Sequence, residues 1–372
     1  MPVGNDYITI EGLDFINTMV TSKKRIDKKA TRLDDKRYPT YNWLTRTARD
    51  LHSVGGAYRM EVKGARNQEE EAWDGADKLT FQTHITPFPM IFVVGKTHFG
   101  NTELYDFLER QGIPIRYGAD PGDRGTAQAA EVVLNYLMEV KDDIDEAIMR
   151  SRAKRLMLAN TDEPKYYLGL DALIPADNNT TGEIGQADRS NPLLQHVIQT
   201  DIDLTNQWVA EQQFCRELNR WSAGSGYVWN ACGDNFFDML CYIYSPNANG
   251  VYNGSSVPRG FDISASRAEA AKYSEKFAIG LPGDAFVDPF GNLIYNDQVL
   301  KDLDEYENPT IKWSDRRYRL SDHLRVYVEK KDERVSHGMP RDQVVWFESV
   351  FSTMCLTLKA PRSCGIQIRK TS

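Results

Sequence analysis

The residues of this chain that could do chemistry are its six histidines, five cysteines and clustered carboxylates, and their spacing matches no catalytic or metal-binding pattern. His52, His84, His98, His196, His323 and His337 lie far apart and offer no metal-ligand spacing. His84 alternates with apolar neighbours and reads as a polar-face strand residue. Cys215, Cys232, Cys241, Cys355 and Cys364 are odd in number and form no Cys-x-x-Cys pair, which excludes zinc and redox motifs and points to a reducing compartment. Cys232 sits beside Gly233 and Asp234 with nothing nearby in sequence to lower its pKa, so it reads as a small buried hydrophobe. Asp142, Asp143 and Asp145 resemble a cation site, but an oxygen cage needs a loop with a tight glycine turn, and a solvated helix face is the plainer reading. Gly224-Ser225-Gly226 lacks the spacing of a nucleophile elbow. A P-loop, a dinucleotide fingerprint and a His-Glu-x-x-His pair are all missing. Asn178 and Asn253 fall in glycosylation sequons, chance matches in a chain without an export signal. The expectation is a protein with no enzymatic activity, no cofactor and no metal.

The elements that such residues would need around them are unusual in a different way. From Thr126 to Ala159 run thirty-four residues without one Gly or Pro. Val133, Leu137, Val140, Ile144 and Ala147 recur at spacings of three and four, the period of a helix with one apolar seam. A straight helix of this length reaches roughly 50 Å, far more than a compact domain needs to cover its own core. Thr126 is placed to start it, and Asn160 followed by Pro164 to end it. Arg150, Arg152, Lys154 and Arg155 gather near its C-terminal end, where they complement the helix dipole. Two readings stand: a structural spar, or a long surface helix of a globular protein.

Charge is distributed unevenly. The chain carries a formal net charge of −8 over 372 residues. Residues 21–50 hold ten cations, among them Lys23, Lys24, Arg25, Lys28, Lys29 and Arg32, against four anions. That segment is therefore +6 in an otherwise −14 chain. Such asymmetry suggests a basic arm facing a polyanion, the alternative being a solvated charged helix. At 41% hydrophobic residues the chain can build real cores, in two or three domains. It shows no secretory signal and no stretch of eighteen apolar residues, so a soluble intracellular product with no membrane association is expected.

Between arm and spar, Tyr58, Met60 and Val62 alternate with Arg59, Glu61 and Lys63, and Leu79, Phe81 and Ile85 alternate with Thr80, Gln82 and His84. Period two marks two strands, which pair as a long hairpin with an acidic tip at 68–77 that includes Glu69, Glu70, Glu71 and Trp73. An isolated hairpin is marginal in water, so this one must lie on its own domain or on a neighbouring subunit. Asn101-Thr102 begins a short helix that Gly112 closes. Further on, 200–221 reads as an amphipathic helix. From Gly224 the texture changes to short strands and turns, including Tyr227-Val-Trp229 and the apolar run 236–244. A helix at 266–277, a strand and turn at 285–292, and strands at 324–329, 351–358 and 366–369 complete an α+β chain without regular strand-helix alternation.

This order of parts resembles the major capsid proteins of tailed bacteriophages with the Hong Kong 97-type fold. The resemblance rests on Pro87-Phe-Pro89 through Gly100-Asn101 and the helix to Gly112. It rests also on Leu168-Gly-Leu-Asp-Ala-Leu-Ile174 with Gly182-Glu-Ile-Gly-Gln-Ala-Asp-Arg-Ser190, and on 324–329 with Met339-Pro-Arg-Asp-Gln343. Gln186-Ala187 departs from the Gly-Ile usual before Asp188-Arg189-Ser190. The resemblance implies an N-terminal arm (1–54), an extended β-hairpin loop (55–97), a peripheral domain (98–222) with its spine helix at 126–159, an axial domain (223–323), and a return to the peripheral domain (324–372). It further implies self-assembly into pentamers and hexamers of an icosahedral shell around double-stranded DNA. Lys23, Lys24, Arg25, Lys28, Lys29 and Arg32 would then face the lumen, and Glu69, Glu70, Glu71, Trp73 and Phe81 would reach an adjacent subunit. A separate scaffolding protein and a portal are implied as assembly partners, with a decoration protein as a further one, and a virion assembled in the host cytoplasm as the location. A nanocompartment or gene transfer agent shell of the same fold is the alternative, and an enzyme with a dispersed site in 223–323 a more distant one.

Overall fold

A computed structural model describes residues 6–22, 38–50, 57–61, 78–82, 84–93, 103–116, 122–161, 167–184, 187–221, 228–244, 263–277, 281–307, 309–337 and 345–370. Along the chain these form β1 (Ile8–Thr9), α1 (Ile10–Ser22), α2 (Pro39–Arg46), β2 (Arg49–Asp50), β3 (Ala57–Glu61), β4 (Lys78–Gln82), β5 (His84–Val93), α3 (Glu103–Arg110), β6 (Ile115–Arg116) and α4 (Ala127–Met157). There follow α5 (Leu170–Leu173), β7 (Glu183–Ile184), β8 (Ala187–Asp188), β9 (Val197–Ile202), α6 (Gln207–Trp221), β10 (Val228–Cys232), α7 (Asp234–Tyr244), α8 (Ile263–Phe277), β11 (Phe286–Val287), β12 (Leu293–Asn296), α9 (Gln298–Glu307), β13 (Arg316–Ser321), β14 (Leu324–His337), β15 (Val345–Leu358) and β16 (Gly365–Arg369). The class is α+β, as the sequence predicts. The chain divides into two compact units, one of Met1–Ala30, Ile85–Met149 and Lys330–Ser352, the other of Thr31–His84, Arg150–Glu329 and Thr353–Ser372.

The long helix spans 31 residues, or roughly 46 Å at 1.5 Å per residue. Both of its ends are fixed by the residues that the sequence singles out. At the start, the Thr126 hydroxyl accepts the Ala129 N–H at 3.4 Å, the N-cap geometry. At the finish, Asn160 turns left-handed with φ 55. Its side-chain amide donates to the carbonyls of Arg155 at 2.6 Å and Tyr167 at 3.0 Å, satisfying an acceptor that the helix end leaves open. Gly169 then lies against the same end, where a Cβ would run into Leu158 O and come within 2.8 Å of Arg155 O and Leu156 O. Of the expected seam, Val133 is fully buried.

In the first unit the N-terminal residues are tied to the turn that precedes α4. β1 pairs in parallel with β6, Ile8 opposite Ile115, and Ile8 also bridges Gly125. Gly125 has φ +87, and a Cβ there would meet Tyr7 O at 2.5 Å, so glycine is required twice over. Asp123 accepts from the Tyr7 hydroxyl at 3.1 Å, and Glu11 accepts from the Gly122 N–H at 3.0 Å. Arg116 lies over the Tyr7 ring and Arg124 over Phe15, each 3.7 Å from the centroid.

The second unit is built on a six-stranded sheet of order β11-β12-β10-β13-β16-β9. β13 is antiparallel to both its neighbours, β10 and β16, while β10–β12 and β16–β9 are parallel. Phe236, Phe237, Leu240, Ile243 and Tyr244 of α7 pack with Phe286 and Ile294 of the sheet. Burying side chains of this size is worth about 1.5–3 kcal/mol each. The segment 236–244, expected among short strands and turns, is thus a helix. Its apolar positions fall at helical spacing, which a dense apolar run conceals. The helix expected over 200–221 begins only at Gln207, because Val197–Ile202 is taken up as strand β9 beside β16. Residues 38–46, expected within an N-terminal arm, are mostly buried in this unit, with Tyr38 and Leu44 each 1% exposed. Trp43 makes an edge-to-face contact with Trp229.

β3 and β4 form the expected antiparallel hairpin with Tyr58 opposite Phe81 and Glu61 opposite Lys78, but His84 and Ile85, expected in the same strand as Phe81, belong to β5 of another sheet. β4 also touches β8 of the same unit. A second sheet has the order β2-β14-β15-β5, in which β2 runs parallel to β14 with Arg49 opposite Tyr327.

Candidate functional site

Three arginines on one short strand organise the second unit. Every residue of β13 is buried, and Arg317 and Arg319 point to one face of the sheet while Arg316 and Tyr318 point to the other, as strand alternation requires. Arg317 is fully buried. Its guanidinium forks onto Glu211 of α6, Nη1 to Oε2 at 2.5 Å and Nη2 to Oε1 at 2.9 Å. It donates also to Asn230 Oδ1 from Nε at 3.2 Å and Nη2 at 3.0 Å, and to Gln367 Oε1 from Nη1 at 3.0 Å. Asn230 in turn donates to Leu293 O at 3.0 Å, and Gln367 to Gln199 Oε1 at 2.9 Å. The chain of contacts therefore runs through β12, β10, β13, β16 and β9, five of the six strands.

Electrostatics agree with this geometry. Burial alone would raise the Glu211 carboxyl, but the Arg317 guanidinium overrides it and holds the group below its ordinary value. Asp288, 3.9 Å from Arg317 Nη2, goes the other way, raised first by burial and then by the nearby Glu211 charge. One guanidinium satisfies one carboxylate fully, and the second carboxyl leans on Asn292, whose Nδ2 donates to Asp288 Oδ2 at 2.9 Å. On the opposite face Arg316 donates to Asp171 Oδ1 at 2.9 Å and to Ile311 O at 2.7 Å, and stacks 3.9 Å over the Trp313 ring.

A second buried constellation fixes the stretch after α5. β7 and β8 form a small hairpin, Ile184 opposite Ala187, after which Arg189 turns inward to 2% exposure. Arg189 Nη2 donates to Ala172 O at 2.6 Å and Leu173 O at 2.9 Å, capping the end of α5, and Nη1 lies 3.4 Å from His196 Nδ1. His196 Nε2 is 2.8 Å from Pro175 O, a pure acceptor. Nε2 therefore carries the proton and Nδ1 accepts from the guanidinium. A second proton on this ring would face Arg189 directly. Burial, with Arg189 adding to it and the Pro175 contact opposing, pulls the His196 pKa down to about 4. Because the unfolded chain takes up that proton near pH 6.5, stability is fully present above that value and is lost as pH falls from 6.5 towards 4, by roughly 3 kcal/mol. Urea midpoints at pH 7.5 and 4.5 should record that loss, and His196→Gln should flatten the slope. An equal slope in both proteins would assign it to other groups.

Neither constellation offers a reactive atom to solvent. Cys232 and Cys355 are buried, and burial pushes their thiols up to about 12, away from the nucleophilic thiolate. Among the described residues no group of three or more His, Cys, Asp or Glu side chains could hold a metal ion. No helix among them is long and apolar enough to cross a membrane. A hollow of about 430 Å³ beside β6 is lined by Leu108, Glu109, Gly112, Ile113, Pro114 and Ile115, with Glu109 its one titratable side chain.

No protein-family model and no curated relative matches the sequence. Among solved structures, the capsid of cyanophage A-1(L) superposes over 94% of this chain and 97% of that chain, with a TM-score of 0.53 and 13% identity. The fold is that of a phage capsid chain. Looser likenesses are to the capsid of the native GTA particle (TM-score 0.46, 8% identity, 89% and 91% covered) and to Mycobacterium phage Adephagia (TM-score 0.46, 8% identity, 96% and 98% covered). Within this capsid fold, Lys23, Lys24, Arg25, Lys28, Lys29 and Arg32 of the basic segment lie outside the described residues, as do Glu69, Glu70, Glu71 and Trp73 of the hairpin tip. Phe81 is in β4, opposite Tyr58. Sequence reading finds no sign of Arg317 and Glu211, and while His196 and Arg189 are visible in it as a histidine without ligand spacing and as part of a motif, their pairing is not. Only Arg189 carries a local signal, the Asp188-Arg189-Ser190 tripeptide, in which the Asp188 carboxylate accepts the Ser190 N–H at 2.9 Å and shapes the turn.

Proposed function

We propose that this chain is the major capsid protein of a tailed phage, assembling into pentamers and hexamers of a closed icosahedral shell around double-stranded DNA. The observation that carries the reading is the near end-to-end superposition on the cyanophage A-1(L) capsid chain, 94% of one and 97% of the other. The chemistry supports it, because the buried charges are spent on one another inside the sheet. The +6 segment at 21–50 supplies sequence-independent phosphate contacts to the packaged DNA. The acidic hairpin tip at 68–77 reaches a neighbouring subunit, where Trp73 buries area. A scaffolding protein and a portal act during assembly, and a decoration protein can add to the finished shell.

Electron microscopy of the full chain, expressed with and without a scaffold partner, tests this directly. Rings or closed shells are expected, and a monodisperse monomer under every condition would end the proposal. Deleting residues 64–78 is expected to leave a folded subunit, with an unchanged circular dichroism spectrum, that no longer closes into shells. Intact shells from that variant would remove the hairpin tip from the assembly interface.

A further inference from the structure

Helix α6 is held from beneath and bare above. Glu211, Phe214, Cys215 and Leu218 are buried, and the Glu211 fork bolts the helix to β13. Val209, Gln213, Arg216 and Arg220, spaced four, three and four apart, form one exposed face. The two ends of that face differ in chemistry. At the N-terminal end Val209 is 55% and Leu204 51% exposed. Trp208 beside them packs its ring 5.3 Å from that of Phe290, which is itself 39% exposed. Asp201 and Asp203 flank this apolar end, with Lys370 close enough to Asp203 to offset one of the two charges. At the C-terminal end a groove of about 330 Å³ is lined by Gln213, Arg216, Glu217, Arg220 and Arg362, three cations against one anion.

We infer that this face is a contact between copies of the chain, the apolar, acidic end of α6 on one copy seating against the basic groove of the next. The occupant is assigned by complementarity of charge. In a chain of net charge −8, the groove is a local excess of cations, and the apolar end brings the Asp201 carboxylate that matches it, Asp203 being engaged with the Thr205 and Asn206 N–H groups and Lys370. Unlike patches meet, which a reciprocal two-fold contact also satisfies; the head-to-tail form is taken because it is the one that closes into the rings of the shell reading when the rotation permits. The inference rests on the shell reading above and names one contact within it. Because α6 is fixed to the sheet by a buried charge pair, the orientation of the contact is set before the copies meet.

A charge swap in the full-length chain tests the pairing. Leu204→Lys with Val209→Lys places cations against the groove, and Arg216→Glu with Arg220→Glu places anions against the acidic end. All four positions are exposed, so the melting curve should stay within about 3 °C of wild type. Each pair alone is expected to lower the assembled fraction in sedimentation velocity at least about tenfold, since like charges across an interface cost several kcal/mol. The four changes together should restore assembly. Either pair assembling like wild type, or the combination assembling no better than the pairs, would overturn the contact. If wild type itself never assembles, the shell reading falls with it; if wild type assembles and the pairs leave it unchanged, only this contact is refused.

Discussion

Arg317→Met is expected to destabilise the second unit by about 3–5 kcal/mol, because it strands the fully buried Glu211 carboxylate without its cation. The pair itself is not the source of that number. Replacing both partners, Arg317→Met with Glu211→Leu, should recover most of the loss, since an apolar pair of similar volume removes the charge and its desolvation together. The two proteins should also respond to pH in opposite directions. In the wild type Glu211 is held below its ordinary value. The stability it contributes is present above the unfolded pKa and disappears as acid protonates it. In Arg317→Met the unpaired carboxyl is raised by burial, so the variant should gain stability relative to wild type as pH falls. Urea unfolding followed by tryptophan fluorescence from pH 7.5 down to about pH 3, below the ordinary glutamate value, reads both effects. A loss below about 1 kcal/mol, or parallel pH profiles, would show that Glu211 finds water or another donor when Arg317 is gone.

Gly169→Ala is expected to cost about 3 kcal/mol for a steric reason alone. The added methyl would collide with Leu158 O, with Arg155 O and Leu156 O only 2.8 Å away. These are backbone atoms at the carbonyl end of α4, so no side chain can swing aside. The collision would push α5 off the helix end and loosen the Arg189 contacts to Ala172 and Leu173. Gly283→Ala is the control, because a Cβ there meets open space. Differential scanning calorimetry of the two variants should separate them by several degrees. Coincident melts would mean that the α4–α5 junction has slack.

Features with local causes were legible in the sequence. The long helix announces itself by an uninterrupted helical period, and its ends by Thr126 and Asn160, which act on groups a few residues away. The pairing of the two hairpin strands follows from period two on both, while their register, Tyr58 opposite Phe81, comes from the structure alone. The buried charge network was not legible. Arg316-Arg317-Tyr318-Arg319 reads as a solvated basic run, since arginine is almost never fully buried without a partner. The partner of Arg317 lies 106 residues earlier in the chain, beyond any window of periodicity. Asn230 and Gln367, 87 and 50 residues away in sequence, reach the guanidinium only once the sheet has formed. The helical state of 234–244 was hidden for another reason: with Phe236, Phe237, Met239, Leu240, Ile243 and Tyr244 all buried, the exposed side narrows to Asp238 and Tyr242, too little polar contrast to reveal the turn of the helix.

The polar strap across β12, β10, β13, β16 and β9 also has a mechanical meaning. Backbone ladders alone can open strand by strand, like a zip. Side chains that brace five strands around one guanidinium leave no weak seam among them at which to begin, so load applied at the β9 margin is shared across to β12, with only β11 outside the brace. A wall tile that must resist pushing from within without shedding its edge would be braced in this way.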